Sequence, residues 1–290
     1  MNNYSVAACV TLYNPGEDVI SNIESYIKVV DKLFIINNCN GESIVSQLSY
    51  KYPNIHVIEY GENMGISKPL NDVLALAIGK YDFLLTMDQD SSFTEKDISL
   101  LLNETKNFNW ENTLGISPKL VGYEEHIKET NPDIVWKKEL IVITSGNIIN
   151  VRNALCIGGF NEKLFIDEVD NEFCLRGYKK GYFSYQCSHG IYLRHQIGTP
   201  TEVVILGNVF HPPSHNYIRT YYIFRNRIYT YINYWNIDFF FMLDSYIYKT
   251  FRMLISKLFF ESDKKRKIKS ILYAVCDFCT GKMGKKDFRY

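Results

Sequence analysis

The chain has 290 residues, 46% hydrophobic and 22% charged, which is the composition of a folded globular protein and not of a disordered one. Its 32 basic residues equal its 32 acidic residues, so no overall charge favours binding to nucleic acid. The first ten residues lack the basic start and apolar core of a signal peptide, and no window of about 18 residues is free of charge. Neither an export signal nor a membrane-spanning helix is therefore predicted. The seven cysteines are odd in number and scattered, which favours a reducing compartment over a disulfide framework.

Strand-like and helix-like stretches alternate along the first 90 residues. The predicted strands are residues 6–11, 32–36, 55–60 and 81–87, and the predicted helices between them are residues 18–28, 43–52 and 69–77. This alternation is typical of a mostly parallel sheet with helices on both faces. We therefore predict an α/β fold.

A pair of carboxylates follows the fourth predicted strand. Asp88 and Asp90 lie one residue apart where the apolar run of residues 81–87 ends. In open α/β sheets the ligand crevice lies beyond the carboxyl ends of the strands, and carboxylate oxygens suit Mg²⁺ or Mn²⁺. The alternative is that both are ordinary turn residues, since Asp is common after strands.

Neither of the two common phosphate-binding loops is present. No G-x-G-x-x-G follows the first strand, and no G-x-x-x-x-G-K-[ST] occurs anywhere. If the chain binds a nucleotide, a metal at Asp88 and Asp90 is the available way to hold its phosphates.

The C-terminal part is aromatic and basic. From residue 237 onward there are twelve basic and six acidic residues, and residues 217–234 carry aromatic and arginine side chains at helical spacing. Such a segment suits the surface of an anionic bilayer, and a helical hairpin that packs on the catalytic domain or forms a dimer contact is the alternative. Cys276 and Cys279 form a C-x-x-C without a second pair, which predicts two packed thiols on one helix face.

A set of ordered motifs resembles the inverting glycosyltransferases of family 2, which have the GT-A fold. The motifs in the first part of the chain are residues 10–15 (VTLYNP), 37–40 (NNCN), 63–66 (NMGI) followed by Asn71, and 87–91 (MDQDS). Those further along are similar to the rhamnosyltransferase-like branch: residues 144–146 (TSG), 158–160 (GGF), 165–176 (FIDEVDNEFCLR), 193–198 (LRHQIG) and 219–226 (RTYYIFRN). The matches occur in order over nearly the whole chain.

The resemblance implies roles for individual residues. It implies that the donor nucleotide contacts Thr11, Tyr13, Asn14, Asn37, Asn63, Asn71 and Asp88, with Arg219 and Arg225 as clamps on a phosphate. It implies a metal held by Asp88, Asp90 and His195; a hydrogen-bonded histidine at a strand end is the alternative for His195. The chain departs from the family at Asn37, where an Asp is usual, and an amide offers donors as well as an acceptor to a base.

One carboxylate must take the proton from the acceptor hydroxyl in an inverting transfer. By resemblance Asp170 falls on the catalytic base, Asp167 is the second candidate and Glu172 the third. A negatively charged helix N-terminus is the structural alternative for these acids.

We therefore expect a GT-A-like catalytic domain over residues 1–208 and an aromatic, basic helical segment over residues 209–290. The resemblance implies Mg²⁺- or Mn²⁺-assisted transfer of a sugar, rhamnose from dTDP-rhamnose or alternatively a hexose from a UDP donor. The acceptor would be a hydroxyl of a lipid-linked or growing bacterial surface polysaccharide, at the inner face of the cell membrane. Two other functions are alternatives. A nucleotidyltransferase would be expected to carry a Gly-rich basic loop after the first strand, where this chain has residues 12–15 (LYNP). A non-catalytic carbohydrate-binding subunit would not need Asp88, Asp90 and Asp170 together.

Overall fold

The computed structural model describes residues 4–39, 46–123, 125, 133–195, 203–205, 208–210, 215–259 and 261–288. The strands are β1 (Val6–Leu12), β2 (Lys32–Asn37), β3 (Ile55–Glu59), β4 (Phe83–Asp88), β5 (Ser91–Ser92), β6 (Thr113–Ser117), β7 (Lys119–Val121), β8 (Val135–Glu139), β9 (Asn147–Asn150), β10 (Phe183–His189), β11 (Tyr192–His195), β12 (Val203–Ile205) and β13 (Asn208–Phe210). The helices are α1 (Val19–Glu24), α2 (Ser46–Lys51), α3 (Ser67–Ala77), α4 (Glu95–Asn107), α5 (Val151–Ile157), α6 (Val169–Lys179), α7 (Tyr217–Tyr234), α8 (Phe239–Met242), α9 (Lys249–Phe259) and α10 (Lys264–Cys279). A 3-10 helix covers Ile27–Val29, and a π-helix covers Leu243–Tyr248.

The chain forms two compact units. The sheet unit consists of Met1–Asn161 and Phe173–Gln196, and the helical unit consists of Glu162–Glu172 and Ile197–Tyr290. The boundary between them falls inside α6. The division into domains at residue 208 stays a prediction.

The sheet unit contains an eight-stranded, mostly parallel sheet. Its strand order is β3-β2-β1-β4-β9-β6-β10-β8. Strands β1, β2, β3 and β4 run parallel, as do β6 and β10, whereas β9 is antiparallel to both β4 and β6 and β8 is antiparallel to β10. The predicted α/β fold is confirmed.

Apolar residues cover both faces of this sheet. Strand β1 (VAACVTL) is buried at all but one position, as expected for a central strand between helix layers. Its side chains share a core with those of β2, β4, α1 and α4. Helix α4 is capped by Thr94, whose side chain accepts a hydrogen bond from the Asp97 amide.

The helical unit has a small core of its own. Tyr221, Tyr222, Ile223 and Phe224 on α7 form a buried cluster with Ala274 on α10. Within the part of the chain that the structure describes, no helix is both long and apolar enough to span a membrane.

Two predictions about local structure need correction. The single helix expected over residues 18–28 is interrupted, because the amides of Ser25 and Tyr26 bond to carbonyls three residues back and the chain tightens into the 3-10 helix. The C-x-x-C thiols of Cys276 and Cys279 are exposed, not packed, because the apolar contact of α10 is made by its other face. The second predicted helix, residues 43–52, corresponds to α2 (Ser46–Lys51), and residues 43–45 lie outside the described ranges.

Candidate active site

Three strands of the sheet unit end at the same edge with predicted site residues. In the parallel register, Thr11 of β1 pairs with Asp88 of β4, and Leu12 pairs with Asn37 of β2. The carboxyl ends of β1, β2 and β4 therefore bring Thr11, Asn37 and Asp88 to one place, where ligands bind in open α/β sheets.

Asp88, Asp90 and His195 form a group suited to a metal ion. One ligand atom from each lies within 4.8 Å of the others. The distance between His195 Nδ1 and Asp90 Oδ1 is 3.4 Å, and the two side chains are 24% and 42% exposed. Two carboxylates and an imidazole are a donor set that Mn²⁺ or Mg²⁺ accepts, so the predicted residues fit an ion at this edge.

A second, three-stranded sheet brings His195 to the acid pair. Strand β11 pairs with β5, and His195 lies directly opposite Ser91. The Tyr192 amide at the start of β11 donates to Asp97 Oδ1 at 3.0 Å, which ties this strand to α4. Ser91 and His195 are 104 positions apart in the sequence, and strand pairing that no local sequence pattern indicates brings them together.

Two buried serines adjoin His195, and the sequence analysis did not assign them a role. Ser91 Oγ lies 2.8 Å from His195 Nδ1, and Ser145 Oγ lies 2.8 Å from Ser91 Oγ. Both serines belong to motifs that the resemblance includes, MDQDS and TSG. The motifs were the only signal in the sequence that could have identified them.

Gln89, the residue between Asp88 and Asp90, holds the loop that follows β1. Gln89 Oε1 accepts a hydrogen bond from the Tyr13 amide at 2.8 Å, and Gln89 Nε2 donates to the Tyr13 carbonyl. Tyr13 is half exposed, and Asn14 has a φ of 46°, a left-handed conformation that Asn tolerates. Gln89 is a further residue that sequence reasoning missed.

Asn37 and Asn63 lie in a network of amides near the end of β2. The Asn37 side chain is buried, donates to Glu59 Oε2 at 2.6 Å and accepts from the Cys39 thiol. Asn63 Oδ1 accepts from the Gly65 amide at 2.8 Å and from the Asn38 side chain. Their predicted contacts with a nucleotide stay predictions.

Asn71 holds the GGF segment. Its side chain donates to the Phe160 carbonyl at 2.9 Å and accepts from the Phe160 amide at 2.7 Å. A Cβ at Gly159 would lie 2.6 Å from Asn71 Oδ1, and Gly159 has a φ of +65°. The side chain thus has a structural role, and its predicted donor contact stays a prediction.

In the helical unit, residues 165–168 form the loop before α6, called here the FID loop. Two consecutive residues in it, Asp167 (φ 61°) and Glu168 (φ 64°), have a left-handed backbone. Burial raises the pKa of both carboxyl groups above the usual range, although nearby arginines oppose this. Asp167 Oδ1 accepts two hydrogen bonds from Arg219 at 3.1 Å, and Glu168 pairs with Arg227 at 3.1 Å and with the Tyr246 hydroxyl. Left-handed backbone at non-glycine residues is strained and is held here by these side-chain contacts.

The two other candidate acids differ in exposure. Glu172 is buried and accepts a hydrogen bond from the Tyr234 hydroxyl at 2.6 Å. Asp170 lies in the first turn of α6, is partly exposed, and accepts from the Asn171 amide at 2.9 Å. Of the three predicted acids, Asp167 and Glu172 are thus held by specific side-chain partners within the helical unit.

The RTYYIFRN motif on α7 braces the FID loop. Arg225 is 1% exposed and donates to the carbonyls of Gly284 and Lys163, and Asn226 donates to the carbonyls of Ile166 and Asp167. The Arg219 side chain is 51% exposed. Of the two predicted phosphate clamps, Arg219 presents its guanidinium to solvent, whereas Arg225 packs inside; both clamp roles stay predictions.

A family model, "Glycosyl transferase family 2", matches residues 7–156, which is more than half of the chain and includes the acid pair. The chain belongs to glycosyltransferase family 2. Its sequence is 25% identical over 245 residues to the dTDP-rhamnosyl transferase RfbF of Shigella flexneri, covering 77% of this chain and 79% of that protein. The family 2 chain is thus similar to a rhamnosyl transferase over most of its length.

Solved structures agree with the GT-A fold expected of a family 2 enzyme. The S. aureus TarS fragment 1–349 matches with a TM-score of 0.60 at 14% identity, covering 96% of this chain and 83% of that one. GalNAc-T7 in complex with UDP, GalNAc and Mn²⁺ matches with a TM-score of 0.60 at 10% identity, covering 96% of this chain and 57% of that one. The predicted GT-A architecture is confirmed, and residues 40 and 196–198 of the family 2 motifs lie outside the described ranges.

Proposed function

We propose that this family 2 enzyme transfers rhamnose, with inversion, from dTDP-rhamnose to a hydroxyl of a lipid-linked or growing bacterial surface polysaccharide. The identity to a dTDP-rhamnosyl transferase over most of both chains supports the choice of sugar and nucleotide. The Asp88, Asp90 and His195 group at the end of β4 supports the metal-assisted chemistry, and it is the observation on which the reaction class rests.

Each proposed role follows from the chemistry of the residue. Asp88, Asp90 and His195 would hold Mg²⁺ or Mn²⁺, which when bound neutralises the charge that grows on the leaving nucleoside diphosphate. Thr11, Tyr13 and Asn14, at the end of β1, and Asn37, at the end of β2, would contact the nucleotide. Asp170 would take the proton of the acceptor hydroxyl as that oxygen attacks the anomeric carbon from the face opposite the diphosphate.

Arg219 is the arginine that we propose for phosphate contact. Its side chain is half exposed and its guanidinium is oriented by Asp167, which suits bidentate contact with a phosphate group. Arg225 is left out of this proposal because its donors are engaged with backbone carbonyls in the core of the helical unit.

The helical unit suits an acceptor that is held on a membrane. Phe240, Leu243, Ile247, Phe251 and Phe259 are exposed at three-, four- and eight-residue steps along one helical stretch, and Phe240 is 81% exposed. Ile268, Leu272 and Val275 form a second exposed apolar row on α10. Apolar rows flanked by basic side chains are the signature of a helix pair that lies in a bilayer interface.

The charges favour an anionic bilayer over a second copy of the chain. Lys264, Lys265, Arg266 and Lys269 on α10 are exposed, and a symmetric contact through this face would bring like charges together. Lys267 is a neighbour of these residues in the sequence, but it is buried and pairs with Glu261 at 2.7 Å. The exposed basic cluster on α10 therefore consists of Lys264, Lys265, Arg266 and Lys269.

The first experiment is incubation of the full chain with a panel of nucleotide sugars and Mn²⁺, with release of nucleoside diphosphate as the readout. Faster release from dTDP-rhamnose than from UDP-hexoses supports the proposal. Preference for a UDP-hexose would replace the donor but keep the reaction, and release of pyrophosphate from a nucleoside triphosphate and a sugar phosphate would indicate a nucleotidyltransferase.

The metal role is tested with Asp90→Ala. Loss of a ligand at a strand end removes no core contact, so we expect metal-dependent binding of dTDP to disappear while the thermal unfolding temperature stays close to that of the wild type. Calorimetry with and without Mn²⁺ measures this. Equal dTDP affinity with and without Mn²⁺ in both proteins would show that the metal assignment is wrong.

A further inference from the structure

Helix α6, which carries the proposed base Asp170, begins just after Glu168. The Glu168 carbonyl accepts a hydrogen bond from the Glu172 amide at 2.9 Å, which closes the first turn of this helix. Glu168 itself has a φ of 64°, a left-handed conformation that a residue other than glycine keeps only where its surroundings hold it. The groups that hold Glu168 therefore also set the position of the turn in which Asp170 lies.

Two side chains from other helices hold the Glu168 carboxyl group. Arg227 of α7 donates to Oε1 at 3.1 Å, and the Tyr246 hydroxyl donates to Oε2 at 2.8 Å. The Asn171 side chain adds a hydrogen bond from within α6. The Glu168 side chain is only 6% exposed, so these protein groups replace the water that a carboxylate otherwise binds.

Tyr246 is the one buried residue of the π-helix that covers Leu243–Tyr248. It is 3% exposed, whereas Leu243, Ile247 and Tyr248 are 42%, 44% and 55% exposed. Helices of this kind are rare overall and occur often at functional sites. The π-helix thus offers apolar side chains to a bilayer while its buried hydroxyl holds the FID loop.

Arg227 joins the same two parts of the helical unit. Its Nε donates to Thr250 Oγ1 at 2.7 Å at the start of α9, and its Nη2 donates to the Ser245 carbonyl in the π-helix. Its guanidinium lies 4.8 Å from the centre of the Tyr246 ring. A change in the π-helix therefore alters both of the contacts that reach Glu168 from outside α6.

Docking on a bilayer favours the arrangement that the structure shows. A bilayer gains apolar contact only from exposed side chains, so it binds most tightly to the arrangement in which Leu243 and Ile247 are exposed. A ligand shifts a conformational equilibrium by its difference in affinity for the two states. Bilayer contact thus stabilises the state in which Tyr246 and Arg227 hold Glu168.

We propose that contact of the π-helix with an anionic bilayer raises the rate of sugar transfer, because it steadies Glu168 and hence the turn that carries Asp170. Tyr246 and Arg227 are the positioning residues in this coupling. The inference rests on the proposed function, which supplies both the bilayer and the role of Asp170. It adds control of the base by the surface on which the acceptor is held.

The coupling is measured by amide hydrogen exchange of the full chain, free and docked on vesicles of phosphatidylserine and phosphatidylcholine. Slower exchange in residues 243–248 reports docking itself. In docked wild type we expect exchange in residues 165–172 to slow by about fivefold or more, the lower end of common couplings between sites. Unchanged exchange in residues 165–172 of docked protein would overturn the proposal. Wild type that does not bind vesicles would overturn it together with membrane docking, whatever the sugar donor proves to be.

Two tyrosine variants separate coupling from direct cover by the bilayer. Tyr246→Phe keeps the ring and the exposed apolar row but removes the hydroxyl on Glu168, so it should dock as the wild type does and lose the slowing in residues 165–172. The matched control is Tyr221→Phe, which removes a buried hydroxyl that donates to Asp277 at 2.8 Å and should keep the slowing. Slowing that persists in docked Tyr246→Phe would contradict the proposal.

Thr250→Val tests the same path if Tyr246→Phe does not fold. It removes the acceptor of Arg227 Nε and leaves the exposed apolar row intact, so docking should persist and the slowing in residues 165–172 should decrease. Equal slowing in wild type and Thr250→Val would count against a path through Arg227 and so against the proposal.

Turnover gives the functional readout. With dTDP-rhamnose and Mn²⁺, release of dTDP from the wild type should be about fivefold or more faster with vesicles than without, and this ratio should fall toward one in Tyr246→Phe. The same ratio in both proteins would overturn the proposal. No release from any nucleotide sugar would instead count against the proposed function, and hydrogen exchange would still decide whether the bilayer is coupled to the FID loop.

Discussion

The sheet unit buries its apolar side chains between a sheet and its helices, whereas the helical unit leaves many of its own in contact with solvent. Most of the large apolar side chains that are exposed in the described residues belong to the helical unit, and most of these lie on α8, the π-helix, α9 and α10. In the sheet unit, by contrast, six of the seven positions of the central strand β1 are buried. The proposed docking surface thus lies on the unit that carries most of the exposed apolar side chains.

The two units also differ in how deeply they bury charged side chains. The charged site residues of the sheet unit lie at a strand edge, where Asp90 is partly exposed. The helical unit instead encloses charged side chains: Lys257, Glu261 and Lys267 are each 2–3% exposed, and both lysines pair with Glu261. An enclosed cluster of this kind is sensitive to the loss of any member.

The largest expected effect on stability is therefore at Glu261. Glu261→Gln leaves two buried ammonium groups without their carboxylate, and we expect the free energy of unfolding to fall by about 3–5 kcal/mol. Chemical denaturation of the full chain measures this. The control is Asp244→Asn, which removes an exposed ion pair with Lys249 and should change the free energy by about 1 kcal/mol or less.

The effect of Glu261→Gln on the free energy of unfolding should also depend on pH. Burial opposes ionisation of Glu261, but Lys267 and Lys257 outweigh it and hold the pKa of the carboxyl below its usual value of 4.5. A lowered folded-state pKa contributes stability above the unfolded pKa and loses it as pH falls through the folded pKa. The difference between wild type and Glu261→Gln should thus be full near neutral pH and shrink below pH 4.5; a difference that grows in acid would contradict the ion-cluster explanation.

A smaller effect is expected at the proposed base. Asp170→Asn keeps the shape of the side chain and removes its basicity, so sugar transfer should drop by roughly 10² or more while dTDP affinity is unchanged. Steady-state transfer assays and calorimetry measure the two quantities separately. Activity within a few-fold of wild type would assign the base to Asp167 or Glu172, and Asp167→Asn and Glu172→Gln are the variants to compare.

The smallest expected effect is on membrane docking. Replacing Lys264 and Lys265 with Gln should weaken binding to anionic vesicles by about 1 kcal/mol per charge, and added salt should mimic the change. Sedimentation with vesicles of phosphatidylserine and phosphatidylcholine measures it, with the exposed Lys28→Gln, Lys106→Gln pair of the sheet unit as control. Wild-type protein that stays in the supernatant at low salt would make the exposed rows a contact between copies of the chain.

The sequence determined the alternating order of strands and helices in the first 90 residues because each element carries its own periodicity. Strands β1, β2, β3 and β4 lie within two residues of their predicted bounds, and α7 has its predicted bounds. The end of β4 and the acids that follow were readable for the same reason, since a buried strand that stops at polar residues is a local signal. The family resemblance also followed from the sequence, through ordered motifs.

Contacts between distant parts of the chain were decided only by tertiary structure. Ser91 and His195 meet because β5 pairs with β11, and no periodicity within either segment indicates that register. Arg219 and Arg225 are arginines of the same motif, and nothing in the sequence distinguishes their roles. In the structure the Arg219 side chain is half exposed, whereas Arg225 is enclosed by the carbonyls of residues 163 and 284. Lys267 looked like its basic neighbours and became a buried partner of Glu261, because burial depends on what packs against a helix face and a single segment does not specify its neighbour.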